Sequence, residues 1–215
     1  MDRRKAIKNL GLSMGFVVAT PTVLSILQSC QNEKYPAWTP QFFSEGEGRT
    51  VQQLVDIILP VTDTPGGIEV NVPQFVDTFA FEVFEPEQQV LMKKGLEVFT
   101  AKALSASEKE DASKLKAEDI EAVLAGSLKV SKEEQEAIYE KLGEYIQAME
   151  AGEDASIDDD TLTFVFLDNI RSLAIFGYKT NEIVGKEVLA YDPVPGRQEG
   201  CVDLNETTQG KAWSL

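Results

Sequence analysis

Apolar residues recur at helical spacing along most of the chain. Val51, Leu54, Val55 and Ile58 follow an i, i+3, i+4, i+7 rhythm that starts at Thr50 and that Pro60 ends. "TDTPGG" then reads as a turn, with Pro65 preset for its second position and Gly66 free to take positive φ. Asn71 is placed to cap a helix with Pro73 in its first turn, and Phe75, Val76, Phe79, Ala80 and Val83 line one of its faces. Pro86 opens the next helix, whose apolar side (Leu91, Met92, Gly95, Leu96, Val98, Phe99, Ala103) runs to about residue 105. Ile120, Val123 and Leu124 mark a further helical region. Ser131 and Glu134 then form a capping box, each side chain satisfying the other's orphan backbone donor, ahead of Ile138, Leu142, Tyr145, Ile146 and Met149.

The acidic stretch "GEDASIDDD" breaks the pattern, and Asp159 or Asp160 stands where a cap is expected. Leu162, Val165, Phe166, Leu173 and Phe176 make the following helix the most apolar in the chain, which places it centrally. A turn at Gly177 and a short helix near residues 180–189 follow. No run alternates with period two long enough to promise a sheet. The expected architecture is all-α: a helical domain of about six helices at 49–190, with an irregular, extended C-terminal arm at 191–215. Residues 30–48, which contain "QNEKYPAWTPQFFSEGEG", read as a linker, with Trp38, Phe42 and Phe43 expected to dock on the domain.

The first 29 residues predict an address rather than fold. A basic opening, Arg3-Arg4-Lys5 with Lys8, precedes an apolar run from Leu10 to Leu27, as in an export signal. The adjacent Arg3 and Arg4 resemble the twin-arginine signal, which directs chains to a route that carries them folded; a membrane-spanning anchor is the other reading. "LQSC" at the end of the run resembles a bacterial lipoprotein cleavage box in which Cys30 is acylated, tethering the mature chain to a membrane. The expected location is therefore periplasmic and membrane-anchored.

Composition narrows the chemistry. The 215 residues carry a formal net charge of −16, and loss of the first 29 removes four basic residues and one acidic one. Such a balance argues against nucleic acid, which needs clustered lysine and arginine. Histidine is absent, so the usual general base, the commonest metal ligand and histidine-ligated haem are excluded. There is no C-x-x-C, and the glycines at 46 and 48 follow no strand, so neither a zinc site nor a dinucleotide cradle is legible. Asp154, Asp158, Asp159 and Asp160 lack the spacing of a calcium loop and read as a solvated helix start. Asp63 reads as a turn aspartate bonded to its own backbone. No catalytic, cofactor-binding or metal site is expected in this chain.

Several stretches together resemble one family, the small subunit (subunit 3) of the membrane-associated gluconate 2-dehydrogenase type. They are the twin-arginine start, "LVDIILPVTDTPGGIEVNVPQFVD" from Leu54, "EPEQQ" from Glu85, and "FGYKTNEIVGKEVLAYDPVPGRQEGCVDL" from Phe176. The resemblance implies a non-catalytic partner that carries the export signal for a large flavoprotein. That flavoprotein, of the glucose-methanol-choline type, would hold FAD and oxidise a sugar or sugar acid, and a cytochrome c subunit would take the electrons. Cys30 departs from the family pattern, so anchoring runs either through a cytochrome or through this subunit. The competing readings are a free-standing envelope lipoprotein that binds a sugar or another protein, and a small hydrolase. If Cys30 is acylated, Cys201 is left as an odd thiol in an oxidising compartment. Residues 191–204, with Tyr191, Pro193 and Pro195, are then expected either to lie on the large subunit with Cys201 linking the two, or to pack on their own domain with Cys201 as a small apolar filler.

Overall fold

The computed structural model describes residues 35–153, 155–194, 196 and 200–214. The export signal with Arg3 and Arg4, the acylation candidate Cys30, and Asp154 and Pro195 lie outside the described residues. Six long α-helices and one short one make up the described chain: α1 (Glu45–Ile58), α2 (Val72–Glu82), α3 (Pro86–Ala106), α4 (Ala117–Leu128), α5 (Lys132–Glu150), α6 (Asp159–Lys179) and α7 (Leu204–Thr208). A turn of 3-10 helix precedes α4, and a π-helical turn at Val184–Val188 follows α6. Among the described residues there is no strand, only a single bridge between Ala190 and Trp213. The all-α expectation is borne out.

Helix α6 is the axis. It packs against α1, α2, α3, α4 and α5, and its Thr163, Leu167, Ile170 and Ala174 are fully buried. Its crossing with α3 is close. A Cβ on Gly95 would lie 2.5 Å from the Phe166 Cβ, so the bare glycine is what lets these helices approach. Val51, Leu54 and Val55 of α1 and Val72 and Val76 of α2 complete the main core with Met92, Leu96 and Phe99. Helix α5 is peripheral: Tyr145 is its one buried residue, sharing a small satellite core with Leu91 and Leu162.

Helix starts depart from the apolar spacing where capping decides them. Helix α1 begins at Glu45, five residues before Thr50, because Ser44 and Glu47 form a capping box: Ser44 N–H donates to Glu47 Oε2 (2.7 Å) and Glu47 N–H to Ser44 Oγ. Helix α5 starts at the expected Ser131–Glu134 box. Asn71 precedes α2 but makes no side-chain cap; its backbone is left-handed (φ 57°, ψ 32°), not the extended form that aims a capping side chain at the helix. The cap of α6 is Asp158, not Asp159 or Asp160, which fall in the first turn and face the positive end of the helix dipole.

Two residues assigned to buried faces are exposed. Val83 lies one residue past the end of α2, and Phe176 of α6 is 45% exposed on the side it shares with exposed Asn169 and Ser172, while the adjacent Gly177 is buried.

Candidate functional site

The "TDTPGG" turn is built to hold itself against the domain. Gly67 N–H donates to Leu59 O (2.8 Å), Val72 N–H to Gly67 O (2.9 Å), and Gly66 N–H to the Glu69 carboxylate (3.0 Å). A Cβ on Gly67 would lie 2.6 Å from Val55 Cγ1, and one on Gly66 would lie 2.9 Å from Val61 N, so both glycines are sites of close approach. Helix α6 and its exit clasp the far side: Tyr178 Oη donates to Pro65 O (2.7 Å) and Asn181 Nδ2 to Val70 O (3.0 Å). The turn's own side-chain bond is made by Thr62, whose Oγ1 accepts from Thr64 N–H, whereas Asp63 is exposed.

Beside this turn lies an aromatic cluster. The Phe176 ring is 5.8 Å from that of Phe75 and 6.3 Å from that of Phe79, and Phe79 is 5.7 Å from Phe84. Gly177 makes the cluster possible, since a Cβ there would lie 2.4 Å from Phe75 Cδ1.

The C-terminal segment is pinned at both ends rather than trailing free. Ala190 N–H donates to Ala212 O (2.9 Å), Ser214 N–H donates to Ala190 O (2.8 Å), and a Cβ on Gly185 would lie 2.8 Å from Ser214 Oγ. Asp203 caps α7 through the N–H groups of Asn205 and Glu206, and Thr208 is buried. The span between carries apolar side chains in water: Tyr191, Val202, Leu204 and Trp213 are each about half exposed or more, and Val194 is 79% exposed. Pro193 is exposed as well. Cys201 is a free, exposed thiol, so it does not fill the domain's own core.

Elsewhere polar groups serve the fold. Asp158 accepts from Thr161 N–H (2.8 Å) and Thr161 Oγ1 (2.9 Å) and pairs with Lys141 (3.1 Å). The Thr161 amide and Lys141 hold its carboxyl at about 2. A shallow groove of about 480 Å³ beside it, between α5 and residues 155–158, is lined by these same paired groups. Tyr139 donates to Asp168, which also pairs with Arg171; burial, then the Asp168 carboxylate, pushes the Tyr139 phenol up to about 12. Among the described residues no acidic or cysteine cluster is arranged to hold a metal ion, and no helix is long and apolar enough to cross a membrane.

The sequence reading passed over Asp77. It is 2% exposed and accepts N–H bonds from Gln41, Phe42 and Phe43. The signal for it was present: an aspartate next to Val76 and three residues from Ala80, inside an apolar face, needs buried partners.

A comparison with protein-family profiles matches residues 45–196 to gluconate 2-dehydrogenase subunit 3. The chain belongs to that family. The resemblance drawn from its motifs is thereby borne out. Comparisons with curated sequences and with solved structures returned no match. As a gluconate 2-dehydrogenase subunit 3 protein, the chain is a small accessory subunit of a multi-subunit dehydrogenase, and a subunit has partner chains. The match begins on the first residue of α1 and ends inside the loop after Ala190. It takes in the turn, the aromatic cluster, Tyr191 and Pro193, and leaves Cys201, α7 and Trp213 beyond its end.

Proposed function

We propose that this chain is the non-catalytic small subunit of a periplasmic, FAD-dependent sugar or sugar-acid dehydrogenase. Its partner is a large flavoprotein of the glucose-methanol-choline type, which holds the FAD, and a cytochrome c subunit accepts the electrons. The small subunit exports the flavoprotein through the twin-arginine signal at Arg3 and Arg4, stabilises it, and anchors it to the membrane through acylated Cys30. FAD is inserted in the cytoplasm, so a loaded flavoprotein has to cross folded, attached to the chain that bears the signal.

The observation that supports this reading best is the pinned loop after Ala190. Tyr191, Val194, Val202, Leu204 and Trp213 are exposed along one stretch of chain, and subunit interfaces are enriched in aromatic side chains. Closure by the Ala190–Trp213 bridge, with Pro193 and Pro195 inside the span, lowers the entropy lost on docking. Cys201 stands in the same span, and in the periplasm it forms a disulfide with a flavoprotein cysteine; the two thiols lose two protons, and a periplasmic thiol oxidant takes the two electrons.

The test is purification of the tagged chain from its own membranes. A yellow, FAD-containing protein should come with it, and non-reducing electrophoresis should run the two as one band that reductant splits. A chain that purifies as a monomer without any flavoprotein would refute the reading. Separate bands without reductant would reject the covalent link alone.

A further inference from the structure

Three successive backbone N–H groups converge on one buried carboxylate. Gln41 N–H donates to Asp77 Oδ2 at 2.7 Å, and those of Phe42 and Phe43 donate to Oδ1 at 3.1 and 2.9 Å. Consecutive amides aimed at one anion form a nest, and here the anion belongs to a helix more than thirty residues further along the chain. Two other helices hold the same strap, residues 38–44. On α3, Lys93 Nζ lies 4.8 Å and 5.4 Å from the Phe42 and Phe43 ring centres and pairs with Glu47 at 2.6 Å. On α1, a Cβ at Gly48 would lie 2.9 Å from Pro40 Cγ and 3.0 Å from Trp38 Cη2, so the bare glycine is the notch in which both side chains sit.

We propose that Asp77 is a fold-completion latch. It docks residues 38–44, through which the N-terminal segment joins the domain, only once α1, α2 and α3 have packed together. The carboxylate, the lysine and the notch come from three separate helices, so a partly assembled domain does not offer all three. Until it does, Trp38, Phe42 and Phe43 remain in water. Once it does, the dependence is mutual, because a buried carboxylate stripped of its donors is costly. The use of the latch rests on the export reading above: a route that carries folded chains meets an apolar strap next to the signal unless the domain is finished.

The test uses the full chain with Trp213→Phe, which leaves Trp38 as its one tryptophan. In Asp77→Asn the amide turns an N–H toward one of the three donors and the charge is lost. Trp38 emission should shift to the red, and amide exchange at residues 41–43 should quicken by on the order of 10- to 100-fold, with helical circular dichroism kept. Gly48→Leu fills the notch from the other side and should give the same pair of changes with Asp77 intact. If Asp77→Asn loses its helices, Gly48→Leu decides. Either variant, folded, with wild-type Trp38 emission and wild-type exchange at 41–43 would overturn the latch. So would a urea titration in which Trp38 keeps its folded-state emission after the helices have melted. These readouts come from purified chain and do not depend on export. Undiminished export of the Arg3→Lys, Arg4→Lys chain would overturn the export reading and leave the latch standing.

Discussion

Replacing glycine by alanine at three helical positions should change stability in opposite directions. Gly95 lies in the middle of α3 against α6, where a new methyl would sit 2.5 Å from the Phe166 Cβ and 3.2 Å from Leu162 O. Neither atom is the free end of a flexible side chain, so relief requires the two central helices to part. Overpacking costs about 1–3 kcal/mol, and a 2.5 Å approach to an atom fixed to the backbone puts this site in the upper part of that range, about 2–3 kcal/mol. Alanine's helix preference over glycine returns about 1 kcal/mol. Gly95→Ala should therefore lose about 1–2 kcal/mol, which for a domain of this size lowers Tm by roughly 2–8 °C. Gly143 in α5 and Gly126 in α4 have no atom within 4 Å of the added Cβ. Gly143→Ala should gain up to about 1 kcal/mol, and Gly126→Ala, near a helix end, somewhat less. Urea denaturation of the chain followed by far-ultraviolet circular dichroism measures all three. A Gly95→Ala chain as stable as its parent would refute the claim that the α3–α6 crossing is set by glycine, and a Gly143→Ala chain less stable than its parent would refute the open space around Gly143.

Asp158→Ala should cost about 1 kcal/mol at neutral pH, the usual loss for an N-cap. The folded chain holds this carboxyl at about 2, below its ordinary 3.8, so the stabilisation is complete above about pH 4 and fades as pH falls towards 2; acid denaturation curves of parent and variant should converge there, and a gap independent of pH would contradict the capping role. Tyr139 should release its proton near 12 in an alkaline titration followed by phenolate absorbance. Asp168→Asn should bring that step down part of the way, since burial remains, and an unmoved step would show that the carboxylate does not act on the phenol.

Helix positions were legible because their causes are local. A proline at 86 and a serine–glutamate pair at 131 and 134 act within one turn, and the structure starts α3 and α5 beside them. The same chemistry was present at Ser44 and Glu47, yet glycines at 46 and 48 made the segment resemble a spacer. Gly48 is there for Trp38 and Pro40, a tertiary reason that no window of sequence displays. Phe176 is apolar and was assigned to the core, but it stands one turn beyond exposed Ser172 and two beyond exposed Asn169, and apolarity alone does not say which side of a central helix a neighbour covers. Asp77 was missed for a related reason: its three donors are backbone amides, which every residue but proline possesses, so their convergence leaves no mark in composition.

The segments that carry the family resemblance play different parts in the molecule. "TDTPGG" is turned inward: Gly67 presses on Val55 of α1, Gly66 on Val61 and Leu59, and Tyr178 bonds to the Pro65 carbonyl, so its sequence is constrained by the domain's own packing. Changing Pro65 or Gly67 should therefore act on stability before it acts on any partner. The loop after Ala190 is the reverse case. Its ends are fixed by backbone bonds that almost any sequence supports, whereas Tyr191, Val194, Val202 and Leu204 make a surface the isolated domain does not use. Leu204 is 60% exposed, so a polar replacement such as Leu204→Ser should leave Tm nearly unchanged while weakening the hold on the proposed flavoprotein partner. A matched fall in both would mean that the loop belongs to the domain's own core energetics and not to an interface.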